Sequence, residues 1–444
     1  MLSRPGKVPL WRYAQLFRND ILPAQPARLY RPWMAEFRTP FFRSFLLNQP
    51  ELIKTVLKER PDDFPKSSRI GEGLRPLLGH SVFLTNGETW KRQRRIIDPA
   101  FEGGRLRATF PAMWDAAEAA AERLQHRTGQ EIEIEAETRH VAADVIFRTL
   151  FSLPIDHEVA REVFAEFRRY QRSQPILNLA ASVPLPRWMP RFWQRDTKAS
   201  AAKIRRLITS LTAARRAEID ANTAPDDLAT NIMATQDPET GAVFSTQDMV
   251  DQVAIFFLAG HQTSASALAW ALYLVATHPE WQDRLAEKAW TLCECDFAVM
   301  SRLKISRDMF RETLRLYPPV PMMVRQAACP QKFRDRNVPK GAQLVLGPWH
   351  LHRHTRLWEN PDGFDPARWQ TENGQKCQRE AYIPFSAGAR VCPGAGFAMI
   401  EGPLILSRIL HDYRIMPVEH KTPVPVAHLT VRARNGIHLR LERR

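Results

Sequence analysis

Phe385-Ser-Ala-Gly-Ala-Arg-Val-Cys-Pro-Gly394 is the stretch on which the reading of this chain turns. Its cysteine, Cys392, lies between Gly388 and Gly394, residues that let backbone approach closely, and the apolar run opening at Phe397 has helical spacing. A thiolate so placed faces a helix N-terminus and loop N–H groups, which are expected to lower its pKa and temper its basicity as a metal ligand. The competing reading is a buried free thiol in a glycine turn.

Outside that stretch the composition describes a soluble globular protein with ample material for a core, 44% apolar and 25% charged. Its 444 residues contain no linker, repeat or low-complexity tract that would divide them, so residues 1–444 are read as one domain. Five cysteines, an odd number in a long chain, argue for a reducing compartment and against a disulfide framework. Cys293 and Cys295 lack the second pair or histidine that would complete a metal site. Arg4, Lys7, Arg12, Arg18 and Asp20 interrupt the N-terminal segment, so no apolar run of the ~20 residues needed for a membrane anchor exists there, and a cytoplasmic location is expected. A net charge of +15 fits an anionic partner, and without zinc-finger spacing, an RNA-binding aromatic signature or a basic tail an acidic protein ranks above nucleic acid.

Phe385, Gly388, Arg390, Cys392 and Gly394 match F-x-x-G-x-R-x-C-x-G, and on these residues the chain resembles the cytochrome P450 superfamily, in its soluble bacterial form. The resemblance implies a mainly α (α+β) fold, a helical domain with a smaller β region enclosing haem b. It implies that Cys392 is the iron ligand, the thiolate pushing electron density onto iron to favour O–O cleavage. Phe385 and Arg390 are then haem contacts.

Further motifs follow in the family's order. Trp90 and Arg94, at i and i+4, share a helix face and by resemblance meet the haem propionates, where an arginine fork suits a carboxylate. Lys91, Arg92 and Arg95 are read as solvent-facing candidates for docking an electron donor. Ser245-Thr-Gln-Asp248 is a capping box opening a helix that lacks proline and interior charge from Val253 to Thr277. The His261-Gln-Thr-Ser264 cluster at its centre fits a helix crossing a protein core better than one crossing lipid. There Ala259-Gly-His-Gln-Thr-Ser264 resembles the oxygen-activating helix, with Ala259 and Gly260 admitting haem and oxygen and Thr263 steering protons. Gln262 replaces the acid common before that threonine; an amide orients water but does not relay a proton as a carboxyl does.

Glu312 and Arg315, at i and i+3, with Arg368 downstream, resemble the family's structural charge network. Pro318 to Arg325 leaves the helix as extended chain; by family position Val320, Met322 and Met323 border the substrate and Arg325 reaches a propionate. Glycines at 71, 73, 79 and 87 suggest a long loop between Pro61 and Gly87; prolines at 175, 184, 186 and 190 break any continuous helix from Ser173 to Arg195, a segment that either buries its aromatics in the core or, by resemblance, forms the lid over the substrate channel.

The activity implied is insertion of one oxygen atom from O₂ into a mainly apolar, medium-sized substrate. Electrons would come from NAD(P)H only indirectly, through a separate acidic ferredoxin or flavodoxin and its reductase. A peroxide-using or substrate-rearranging haem-thiolate enzyme would keep Cys392 without needing Thr263, and a haem sensor would keep the ligand alone.

Overall fold

The computed structural model describes residues 20–38, 43–173, 195–289, 294–427 and 430–444, with a few isolated positions before residue 20. The proline-rich segment read as a lid, 174–194, lies outside the described residues, as does Cys293.

A 32-residue helix, Thr246–Thr277, runs through the middle of the helical part; at 1.5 Å per residue it is about 48 Å long. Its start is set locally: Ser245 Oγ accepts from the Asp248 N–H at 3.1 Å, and the Asp248 carboxylate accepts from the Ser245 N–H at 3.2 Å. Apolar residues all round it, from Met249 to Ala276, explain its burial by neighbours on every side. Helix Ile134–Phe151 packs along it, helix Phe110–Gln125 packs against that one in turn, and the helix that follows the cysteine, Ala395–Asp412, closes the bundle with Lys304–Leu316.

The β structure is small and peripheral. Four strands take the order Met34–Arg38, Arg43–Leu47, Gln343–Leu346, Met323–Gln326, with only the middle pair parallel. Met323 and Arg325 fall on one face of the last strand because side chains alternate. Glu131–Glu133, His438–Arg443 and Tyr413–Pro417 form a second sheet. No described helix is long and apolar enough to cross a membrane.

The region 61–87 departs from expectation. Instead of one long loop it contains a helix, Ser68–Leu78, with Pro76 inside it. Its end is set by tertiary contact: Gly79 has φ +50° and packs against the Asp251 carboxylate of the central helix, which also accepts from the His80 N–H at 2.6 Å and from Arg205 at 2.6 Å. Leu74, Leu77 and Leu78 join the main core. Glycines weaken a helix by up to about 1 kcal/mol each, and burial of these leucines outweighs that cost.

Candidate active site around Cys392

The cysteine loop is pinned at both ends of its turn. The Cys392 N–H donates to the Phe385 carbonyl at 2.9 Å, and the Ala395 N–H to the Cys392 carbonyl at 3.2 Å, so the loop runs directly into the helix Ala395–Asp412. Within it Ser386 has φ +65° and Gly388 φ +68°. A Cβ on Gly388 would collide with the backbone of Leu57 and Lys58, which is why a glycine stands there: the loop lies against the π-helical turn Thr55–Glu59.

Cys392 can be reached by a water-sized sphere, yet burial is the largest influence on its thiol and pushes the pKa up. The Gly394 N–H, Arg94 and Lys66 act in the opposite direction. The lowered thiol pKa expected from the loop is therefore corrected: desolvation outweighs the helix N-terminus and nearby cations. Ala259 is exposed in the same sense, although it lies mid-way along the central helix between buried neighbours. Thr263, one turn on, donates to the Ala259 carbonyl at 2.7 Å. Val320, Met322 and Met323 are likewise only partly covered.

Four cations gather on this side. Arg94 pairs with Asp98 at 2.8 Å and donates to the Val391 carbonyl at 2.7 Å, tying its helix, Gly87–Ile97, to the cysteine loop. Arg390 lies 4.0 Å from the centre of the buried Trp90 ring and donates to Asn86 Oδ1 at 2.7 Å. Arg325 is 5% exposed and, among the described residues, donates to the carbonyl of Val324 at 3.3 Å. Lys66 donates to the Phe83 carbonyl at 2.9 Å, over the Phe83 ring. Burial, then repulsion from Arg325, Arg390 and Arg94, holds the Lys66 pKa well below its ordinary value; burial takes Arg325 and Arg390 down to about 10. Among the described residues no carboxylate pairs with Lys66, Arg325 or Arg390. Buried cations without anions are costly, so a cluster of this kind fits a group that brings two carboxylates of its own, as haem b does, with a thiol beside it for iron. The sequence drew attention to Trp90, Arg94, Arg325 and Arg390; Lys66 carried no signal, since its proximity to Arg325 arises from a backbone bridge between distant segments.

A Cβ on Gly260 would meet Ile146 Cδ1 at 2.5 Å, so this glycine lets helix Ile134–Phe151 approach the central helix. Lys91, Arg92 and Arg95 are partly exposed and each carries an acidic partner: Lys91 pairs with Glu88 at 2.9 Å, Arg92 with Asp248 at 3.3 Å, and Arg95 with the fully buried Asp237 at 2.5 Å.

Away from the thiol, Arg315 forms a bidentate pair with Glu312, at 2.9 and 2.8 Å, and Arg368 Nε reaches the same carboxylate at 3.2 Å. The remaining guanidinium donors take carbonyls of His352, Pro361, Gly363 and Asn360. All three side chains are buried.

A family model described as Cytochrome P450 matches residues 34–440. The chain belongs to the cytochrome P450 family. It is 30% identical to a cyclooctat-9-en-7-ol 5-monooxygenase of Streptomyces melanosporofaciens, over 95% of this chain and 90% of that one. Identity to a cytokinin hydroxylase of Arabidopsis thaliana is 29%, covering 89% and 78% of the two chains, and to human cytochrome P450 4A11 it is 30%, covering 89% and 79%. The crystal structure of the cytochrome P450DA heme domain superposes with a TM-score of 0.83 at 24% identity, over 100% of this chain and 97% of that one, which establishes a shared fold. The protein is thus a P450 monooxygenase, and haem is the group that the thiol and cation cluster suit.

Proposed function

We propose that this P450 inserts one atom of O₂ into a mainly apolar, medium-sized organic substrate, using two electrons from a separate acidic ferredoxin or flavodoxin served by an NAD(P)H-dependent reductase. The observation that carries the proposal is the cysteine loop with Arg94 and Lys66 acting on the Cys392 thiol and with Arg325 and Arg390 clustered about Lys66. In net terms substrate, dioxygen, two electrons and two protons become hydroxylated product and water.

Haem held by Cys392 would supply dioxygen activation, with the Cys392 thiolate favouring O–O cleavage. This chain's residues do the rest. Lys66, Arg325, Arg390 and Arg94 would hold the haem carboxylates, with Trp90 under Arg390 and Phe385 as a further contact. Ala259, Val320, Met322 and Met323 supply apolar wall, and methionine adapts to more than one substrate shape. Thr263 presents a hydroxyl one turn from Ala259 and steers protons toward the reacting oxygen; Gln262 orients water. Basic charge favours the acidic donor, with Lys91, Arg92 and Arg95 on the face nearest Arg94; their internal pairs mean that docking must share these charges.

The test is turnover of one saturating substrate with O₂ and a reduced ferredoxin, against peroxide alone, in wild type and Thr263→Ala. Donor-dependent product, diverted to peroxide in the variant, is expected. Product from peroxide alone, with Thr263→Ala unaffected, would favour a peroxide-using enzyme; a haem signal with no substrate-induced spectral shift across a broad library would favour a sensor.

A further inference from the structure

Gln262 leaves the proposed chemistry without a proton source on the central helix, and the structure holds an acid at the same cavity. A small cavity of about 20 Å³, enough for an ordered water, has Gln262, Gln171, Glu135, Arg139, Thr430 and Arg432 among its lining residues. It opens between the central helix, the start of helix Ile134–Phe151, the end of helix Glu158–Ser173 and the strand Val431–Ala433. The packing explains why Glu135 comes there. Gly260 meets Ile146 of the neighbouring helix, and the two helices run antiparallel, so advancing along the central helix to Gln262 and Ser266 means retreating along its neighbour to Arg139 and Glu135.

We infer that Glu135 supplies the protonatable group that Gln262 lacks, passing protons from solvent to water that Gln262 orients in this cavity, one residue before Thr263. This rests on the monooxygenase reading above. Glu135 is 7% exposed; one carboxyl oxygen accepts from the Ala433 N–H at 2.9 Å and the other from Arg139 at 3.2 Å. Burial pushes its pKa up, against the Ala433 N–H, Arg139 and Arg432, with Glu133 adding to the rise, so the carboxyl can take up and release a proton nearer neutrality than a surface glutamate. Arg139 is partly exposed and forms the outer wall, where a proton lost to the interior is replaced from bulk water. Two other titratable groups lie at this point of the central helix: His261, whose pKa burial lowers to about 4 and whose ring is held by Gln171 and the Phe257 carbonyl, and Glu401, which accepts from Ser264 at 2.6 Å but is buried and does not line this cavity. Each donated proton leaves Glu135 as a carboxylate and is restored by water, and no electron passes along this path.

The inference is tested on the haem-loaded protein by two measurements. Infrared difference spectra at rest, without substrate or donor, follow the Glu135 carboxyl band, assigned by its loss in Glu135→Gln or its shift in Glu135→Asp. Its midpoint should lie above that of an ordinary glutamate, about 4.3, and the band should shift in Gln262→Leu. A band that titrates as a surface glutamate, or ignores Gln262→Leu, overturns the inference. In turnover, Glu135→Gln should divert electrons from product to peroxide several-fold, and Gln262→Glu in the same chain should restore coupling. If Glu135→Gln stays coupled while Thr263→Ala does not, the inference fails and the monooxygenase reading stands; if neither donor-dependent product nor a Thr263→Ala effect is found, that reading has failed first. Should Glu135→Gln not fold, the infrared comparison of wild type, Glu135→Asp and Gln262→Leu decides.

Discussion

Ser264 Oγ donates to Glu401 Oε2 at 2.6 Å, joining the central helix to the helix that begins just beyond Cys392. Glu401 is 1% exposed, and its other oxygen has no hydrogen-bond partner among the described residues. Burial pushes its carboxyl up to about 8, with Ser264 pulling weakly the other way, so the folded protein keeps this acid neutral at pH 7.

The raised value has a sign. The folded state binds this proton more tightly than the unfolded chain, so the group's contribution to stability is full below about pH 4.5 and is lost as pH rises toward 8. At pH 7 the loss is on the order of 3 kcal/mol. Glu401→Gln, neutral at every pH, should flatten stability between pH 5 and 8 and raise the melting temperature near pH 8. Melting curves of the two proteins across that range check it; parallel curves would contradict the assignment.

Removing the carboxylate at Glu312 should cost more than removing any surface charge. Glu312→Gln leaves Arg315 and Arg368 buried without an anion, and breaking such a pair typically costs about 3–5 kcal/mol. Arg315→Lys should also destabilise, because one ammonium cannot replace the two-point pairing. Denaturant unfolding, with haem content measured in parallel, gives both values.

Gly260→Ala places a methyl 2.5 Å from Ile146 Cδ1, and overpacking of this kind costs roughly 1–3 kcal/mol. Ile146→Val removes that atom, so the double variant should recover much of the loss. If Gly260→Ala instead perturbs only the haem spectrum, and Ile146→Val offers no rescue, the packing account is wrong.

Lys66 should act in opposite directions with and without haem. Lys66→Met removes a buried cation that repels Arg325, Arg390 and Arg94, so the haem-free protein should gain stability. It also removes one charge-assisted contact to a carboxylate, so haem transfer to an acceptor globin should quicken by roughly tenfold or more. Melting of the haem-free protein and transfer kinetics give the two signs separately.

Gln262→Glu should keep or improve the fraction of electrons ending in product, since it places a relaying acid next to Thr263. Product, peroxide and reduced cofactor consumed, measured together with one saturating substrate, test this; a fall in coupling would mean that the amide's water-orienting role outweighs the missing proton.

What the sequence determined by itself was local. The Ser245/Asp248 box begins the central helix whatever surrounds it, and the cysteine loop is readable because its residues are contiguous and its glycines answer to backbone needs. The E-x-x-R pair is legible because i and i+3 meet on any helix. Only the tertiary structure decided the rest. The helix Ser68–Leu78 forms against its own glycines and proline because Asp251 anchors its end and the core takes its leucines. Arg92 and Arg95 were indistinguishable from free surface charges until Asp248 and Asp237, about 150 residues away in sequence, came to rest on them. Lys66, Glu135 and Glu401 have no sequence motif at all. Their chemistry comes from burial and from which charges lie nearby, and both are properties of packing between segments far apart in the chain.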